Sequence, residues 1–472
     1  MEIYTRPGSK IQPVLPGRPI KSGEKIIMAR IVKHFLYAAI ALFAWSPLCA
    51  MTLDEAVRKA LENNPQIQEA KAEISAIRAK VSEAKSHRYP KLDFAAAVAV
   101  MNEEPEMKMP ELHLAALGGM PISLPNMALS DSTVSIGALN LSMPLFTSGR
   151  VGHGVNQAKA GTEAVEAAYE AVRAEVAFLT IKAYLTAVLT TRVEHVNRQA
   201  YDTINEHLGH AVRLFEENQI PRYEVLRAET EVANAKKRLT DAQNNRDLAI
   251  AFLQNLMGAS PGREITLDTD ITPIPEVVEQ YDALADEAVR QSHALIALEA
   301  KDKMYREAEA GAKSERLPVL AAFASQVLYH NEQPFTIPST IAGVVLNVPL
   351  FDGGASGAKA AGQRAMRKKN EYEKEKTQNN LRLEVMQYNL DLKSSKSALE
   401  SSKKSIETAA ESLRLAELRF AEGVGTGIEI SDAALALLVA RTNEIQARHQ
   451  NNLAAYGLAK TSNKLLQIVN AE

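Results

Sequence analysis

One offset organises this chain. Pro144-Leu145-Phe146, followed by Gly149, recurs 205 positions later as Pro349-Leu350-Phe351, followed by Gly354. The same spacing carries Phe215, Glu217, Glu224 and Ala228 onto Phe420, Glu422, Glu429 and Ala433. Upstream, Ala84-Lys-Ser-His-Arg-Tyr-Pro90 returns as Ala312-Lys-Ser-Glu-Arg-Leu-Pro318, and Asp54-Glu-Ala-Val-Arg58 as Asp286-Glu-Ala-Val-Arg290. One spacing held from Pro144 through Ala228, with matching segments upstream at somewhat longer spacings, marks one structural unit written twice, and it limits the fold before any other reading.

Each unit reads in the same order. A moderate helix is predicted first, about 54–87 and about 283–315, with apolar positions such as Ile67, Ala70, Ile74, Ile77 and Val81 at helical spacing. Arg-x-Pro then ends it, because proline lacks the amide donor and restricts the residue before it. Two strand-like runs follow, a hairpin over about 91–145 in the first unit and about 318–350 in the second. Leu139, Leu141, Met143 and Leu145 alternate with Asn140 and Ser142, the period of a half-buried strand. Next comes a very long helix. No proline occurs between Pro144 and Pro221, nor after Pro349. A helix of about 60 residues reaches roughly 90 Å at 1.5 Å per residue. Short breaks at Asn218-Gln-Ile-Pro221 and Gly423-Val-Gly-Thr-Gly427 turn the chain, and a second long helix returns. The long helical hairpins are therefore expected over about 150–257 and 355–467. The two repeats are expected over 51–280 and 281–472.

Composition agrees with long helices: aromatic residues make up 5% of the 472, and the net charge is −3. That charge implies no general attraction to nucleic acid. Near the start, Lys21, Lys25, Arg30 and Lys33 precede the apolar run Phe35–Trp45, which ends in Ser46-Pro-Leu-Cys-Ala50. A basic stretch, a short apolar core and a small terminal residue read as a secretory signal over 1–50, with Met28 an alternative start. Cys49 is the only cysteine. It is either lost with that peptide or serves as a lipid attachment point.

After Ala50 no run of eighteen apolar residues is found, so no helix is expected to span a bilayer. The strand runs, by contrast, have the length of membrane strands, with one apolar face and uncharged middles. Two units supply only four. Four strands cannot close a barrel, and an open edge in lipid leaves backbone groups unpaired. Strands of this kind in a membrane demand that several copies pool them.

The residues at this point resemble those of the TolC-like outer-membrane efflux family over nearly the whole length after Ala50. The resemblance rests on Thr52-Leu-Asp-Glu-Ala-Val57 with Asn63-Asn-Pro65, Arg88-x-Pro90, the doubled Pro-Leu-Phe with glycine, and the turn from Gly423 to Ala433. It implies an α+β, mostly α fold: a homotrimer with long α-helical hairpins in a trimeric α-barrel and four transmembrane β-strands per protomer, twelve in the barrel. It implies an outer-membrane channel of a Gram-negative bacterium, extending into the periplasm and embedded in outer-membrane lipid. Its partners would be a periplasmic adaptor (a membrane fusion protein) and an inner-membrane pump, in an efflux or type I secretion system. By the same resemblance the periplasmic tip carries acidic residues, Glu429 and Asp432, as stacked carboxylate rings in a trimer. The plainer reading is that both simply complement the dipole of the returning helix. Arg222 or Arg227 is expected to pair with Glu429, Asp432 or Glu422 in a latch. The turns Ile220-Pro221 and Gly423-Val424-Gly425-Thr426 would dock the adaptor. Pro144, Phe146, Gly149, Pro349, Phe351 and Gly354 mark the strand-to-helix turns.

One departure stands out. Pro90 to Pro144 spans 54 residues but Pro318 to Pro349 only 31, so the first hairpin carries 23 more, within about 101–131. They include Met101, Met107, Met109, Met120, Met127 and His113. Thioethers suit a soft cation such as copper(I) or silver(I). An adaptable apolar loop over the barrel mouth is the plainer reading. His207 and His210, three apart beside Glu206, have zinc-compatible spacing without a third ligand, and read as a solvated helix face. No lysine follows Gly149 and Gly152 in phosphate-loop position, and no catalytic, cofactor or metal motif is present. The rival classes are a periplasmic α-hairpin adaptor, which normally has one hairpin, and a structural coiled-coil protein. The doubled apolar strands favour the channel over both.

Overall fold

The computed structural model describes residues 50–469 apart from 105, 110–111, 114–120, 123–124, 126, 129–131, 263–264, 270–280 and 331–337. The expected export signal, Cys49, Met120 and the end of the inter-repeat joint lie outside the described residues.

The first unit opens with α1 (Leu53–Asn63) and α2 (Pro65–Ser86). Thr52 caps α1 by accepting from the Glu55 amide, and Leu53, Ala56, Val57 and Ala60 form its buried stripe. The sequence predicts one helix here, and the structure breaks it in two. Asn64 sits in an extended conformation before Pro65, accepts from the Gln66 amide at 2.9 Å and donates to the Leu256 carbonyl at 2.8 Å. A buried partner 192 residues away therefore fixes the break.

Strands β1 (Lys91–Val100) and β6 (Thr133–Phe146) form the first hairpin. Within its long connection, β2 (Glu106–Met107) pairs with β5 (Met127–Ala128), and β3 (Leu112–His113) with β4 (Pro121–Ile122). Helix α3 (Arg150–Glu216) and its return α4 (Arg222–Leu256) complete the unit. The second unit repeats it: α5 (Tyr281–Gln291), α6 (His293–Ser314), β7 (Val319–His330), β8 (Thr340–Asn347), α7 (Ala355–Ala421) and α8 (Gly427–Thr461), then a short α9 (Leu465–Ile468). The helices are 11, 22, 67 and 35 residues long in the first unit, and the same four lengths recur in the second. Ser292, accepting from the Leu295 amide at 3.4 Å, makes the second break without a proline. Both single-helix expectations are thus corrected to two helices.

The four long strands form one antiparallel sheet in the order β1-β6-β7-β8. The helices follow that order: α3 lies against α2 and α4 on one side and α6 and α8 on the other, and α7 lies beyond α6 and α8. Sequence and space agree column by column, because each strand runs directly into, or out of, the helix in line with it. Separately, Met51 bridges Leu267 in parallel and donates to the Thr266 carbonyl at 2.8 Å.

Helix α3 contains a more apolar stretch than the absence of an eighteen-residue apolar run suggests. By length and composition a window of it could cross a membrane, with a mean hydropathy of 1.3. That window is 56% buried within the protein. Val176, Ala177, Ile181, Tyr184, Leu185 and Val188 are covered by neighbouring elements, and Tyr184 donates to the Asp268 carbonyl at 2.7 Å. The apolar surface serves the core.

Candidate functional site

The sheet has two chemically distinct faces. Residues directly opposite in an antiparallel pair share a face. Leu92 opposes Leu141, Phe94 opposes Leu139, Ala324 opposes Leu141 and Leu320 opposes Leu346. This face is apolar from Leu320 through Ala324 and across the residues they oppose, and is interrupted by Gln326, which stands opposite Leu139 and Thr340. The other carries Asp93 opposite Asn140, Asn140 opposite Ser325, and Asn347 opposite Val319. Ser325 Oγ donates to Asn140 Oδ1 at 2.8 Å on that polar face. Alternation of this kind suits a wall between lipid and water.

Both strand-to-helix turns use left-handed backbone. Gly149 and Gly354 cap α3 and α7 at φ of 84° and 87°, a conformation that costs a side-chain-bearing residue energy. Asp352 holds the second turn by accepting from the Gly354 and Ser356 amides at 2.9 and 3.0 Å. Thr147, its counterpart, accepts from the Val151 amide at 3.4 Å.

At the far end the long helices turn in matching ways. Asn218 at φ 59° ends the first and Gly423 at φ 74° the second. The Gln219 amide donates to the Leu214 carbonyl at 2.8 Å and the Val424 amide to the Arg419 carbonyl at 3.0 Å, closing the last turn of each helix. The two hairpins meet through His207. Its ring lies edge-on to Phe420 at 4.7 Å between centroids. Its Nε2 lies 2.8 Å from where a Cβ on Gly427 would stand, with Glu224 Oε2 3.5 Å from the same point. Ala416, Ile430 and Ala433, with Leu413 and Phe420, make the small core beside it.

A family model described as outer membrane efflux protein matches residues 56–259 and 284–464. The chain belongs to the outer membrane efflux protein family. It is an outer-membrane efflux channel and not an enzyme, with a large helical part on the periplasmic side. No match is found among curated protein sequences. Solved channels share the fold. The Campylobacter jejuni CmeC outer membrane channel aligns with a TM-score of 0.72 at 16% identity, over 89% of this chain and 87% of that one. The open state of the Neisseria gonorrhoeae MtrE outer membrane channel gives 0.69 at 18%, over 88% and 89%. The Vibrio cholerae outer membrane protein VceC gives 0.68 at 17%, over 87% and 95%.

Within this efflux protein's protomer, the sequence-predicted tip residues fall into separate groups. Glu429 is in the first turn of α8 and pairs with Arg419 across the turn at 3.1 Å. Arg227 instead donates to Tyr223 Oη at 3.3 Å. Asp432, Glu422 and Arg222 are exposed on the tip. Among the described residues, neither arginine pairs with Glu429, Asp432 or Glu422 inside the protomer. Sequence reasoning missed Arg419, whose signal was a basic residue in the last turn of α7 facing the first-turn acid of α8. His207 is also corrected: it is buried between hairpins, while His210 is exposed. Among the described residues, no three potential ligands from His, Cys, Asp and Glu are grouped to hold a metal ion.

Proposed function

We propose that three copies of this efflux channel form a passive exit duct, docked at its periplasmic tip to an adaptor and an inner-membrane pump in an efflux or type I secretion system. One observation carries the reading. Four strands stand in line with four helical columns, and among the described residues both outer columns, β1 with α2 and α4 on one side and β8 with α7 on the other, lack a further neighbour within the protomer. A head-to-tail contact between unlike edges closes into a ring when the rotation allows it. Three copies supply twelve strands, and closure satisfies the edge backbone groups that lipid would strand.

At the tip, Glu429 and Asp432 would then stand as rings of three carboxylates, attracting cations and repelling anions. Arg222 and Arg227 of the first hairpin would meet the acidic turn of a neighbouring protomer's second hairpin. Each exposed pair contributes only about 0–1 kcal/mol, so a latch needs several per trimer. The turns at Ile220-Pro221 and Gly423–Thr426 would form the adaptor-facing rim. Cell fractionation and single-channel recording test this reading. An outer-membrane, detergent-resistant trimer is expected, with cation selectivity reduced in Asp432→Ala and resting conductance raised in Arg227→Ala. A monomer in the periplasmic fraction would overturn the duct. Unchanged selectivity and conductance in both variants would overturn the gate alone.

A further inference from the structure

The internal repeat supplies a register for the junction between protomers. Shifts of 228 positions from α1 through β1 and of 205 from β6 onward superpose the elements of the two units, and they reproduce the hairpin pairing residue for residue. Lys91 opposes Ser142 and Val319 opposes Asn347; Leu92 opposes Leu141 and Leu320 opposes Leu346. The structure also contains one junction between units, β6 with β7, in which Leu141 opposes Ala324 and Met143 opposes Ala322. Edge β8 is the repeat counterpart of β6, and edge β1 the counterpart of β7.

We propose that β8 of one protomer pairs antiparallel with β1 of the next in this same register, Leu346 opposite Ala96 and Val348 opposite Phe94, and that the pairing draws residues 348–351 into the strand. The inference rests on the trimeric reading above and adds the register, which that reading leaves open.

Two further observations point the same way. The first is strand length. β6, flanked on both sides, runs 14 residues through its Pro-Leu-Phe, whereas β8, flanked on one side, stops after eight at Asn347. Leu350 and Phe351 are left 94% and 90% exposed, against 50% and 59% for Leu145 and Phe146 in the first copy. The missing element is the neighbouring strand. The second observation is polarity. The register sets Leu92, Phe94 and Val98 on one face with Val344, Leu346 and Val348, and places the polar Asp93 and Asn347 together on the other. A slip of one residue would mix the faces across the junction and put a polar side chain toward lipid. Slips of two preserve the faces, and only the repeat excludes them.

Cysteine pairs distinguish the registers. Opposed Cβ atoms in an antiparallel sheet stand about 4.5–5.5 Å apart and diagonal ones about 7–8 Å. A disulfide needs about 3.5–4.5 Å. Cys49, the only native cysteine, is common to every variant and so to the controls. On mild oxidation of the purified full chain, Ala96→Cys with Leu346→Cys, and Phe94→Cys with Val348→Cys, are expected to give covalent dimers and trimers on non-reducing gels. Leu346→Cys with Phe94→Cys or with Val98→Cys is expected to give only traces. Cross-linking by a shifted pair instead overturns the register while leaving the trimer standing. A native trimer in which no pair cross-links overturns the edge pairing itself. Wild-type protein that forms no trimer overturns the duct reading on which the register depends.

Discussion

His207 is 8% exposed although it lies on a helix rich in charge. Burial pushes its imidazole below the usual histidine range, and the neighbouring His210 adds to that. Phe420 from α7, the N-terminus of α8 at Gly427, and Glu224 from α4 surround it. Glu224 is the only acid among these, and the helix N-terminus disfavours a cation. The packed tip therefore prefers neutral His207. A group held below its free pKa contributes fully above that free value, and the contribution is lost as pH falls through the lowered value. We predict that amide exchange over 413–434, corrected for its intrinsic pH dependence, is faster at acid pH than at neutral pH. His207→Phe should remove that difference and His210→Gln should leave it. Equal pH dependence in His207→Phe would show that other groups loosen the tip.

Among the elements, a half-buried cation near the C-terminal end of α8 ties that helix to the middle of α3 and of α7. Lys460 of α8 contacts Glu175 of α3 at 2.7 Å and Glu384 of α7 at 3.3 Å, and lies over the Phe178 ring at 5.0 Å. Burial alone would lower its pKa, yet the hydrogen bond to Glu175 and the charge of Glu384 raise it overall. Lys460→Ala should cost about 1–2 kcal/mol, discounted because Glu175 is more than half exposed. A lowered trimer melting temperature would register it, and an unchanged one would show the tie to be without net value. The helix starts offer a contrast of sign. Gly354→Ala should destabilise by about 1–2 kcal/mol because its backbone is left-handed. Gly209→Ala, inside α3 with nothing near the added methyl, should stabilise by about 0.5–1 kcal/mol. Thermal melts of the two variants should move in opposite directions.

For the whole molecule, the proposed trimer would make the wall of the duct nearly sixfold, and two differences between the halves would lie at its ends. At the mouth, only the first hairpin carries the 23 additional residues with their methionines. Met107 and Met127 are paired directly opposite each other in that connection. The four-stranded sheet is paired without them, so shortening the first hairpin to the length of the second should leave trimer yield unchanged while altering single-channel conductance. Loss of the trimer would instead assign the added segment a part in assembly. At the tip, Arg227 stands where the second copy has Asp432, and Leu214 where it has Arg419. The charges proposed to gate the duct are therefore distributed unequally between the two hairpins.

Most of what is local and periodic was legible in the sequence, though the Ser292 cap that divides α5 from α6 was not. The doubled landmarks, the proline-free stretches, the strand alternation and the turn residues at Asn218 and Gly423 depend on nearest neighbours along the chain. The fold class followed from them. What only the tertiary structure decided depends on residues far apart. Asn64 breaks a helix by bonding to Leu256, His207 is buried by a hairpin more than 200 positions away, and Lys460 finds acids on two other helices. Helical spacing shows that a residue lies on a particular face, but not which distant element covers that face. For the same reason the register along β8 and β1 was invisible in the sequence. The register proposed for it comes from the β6–β7 junction, where one repeat meets the next.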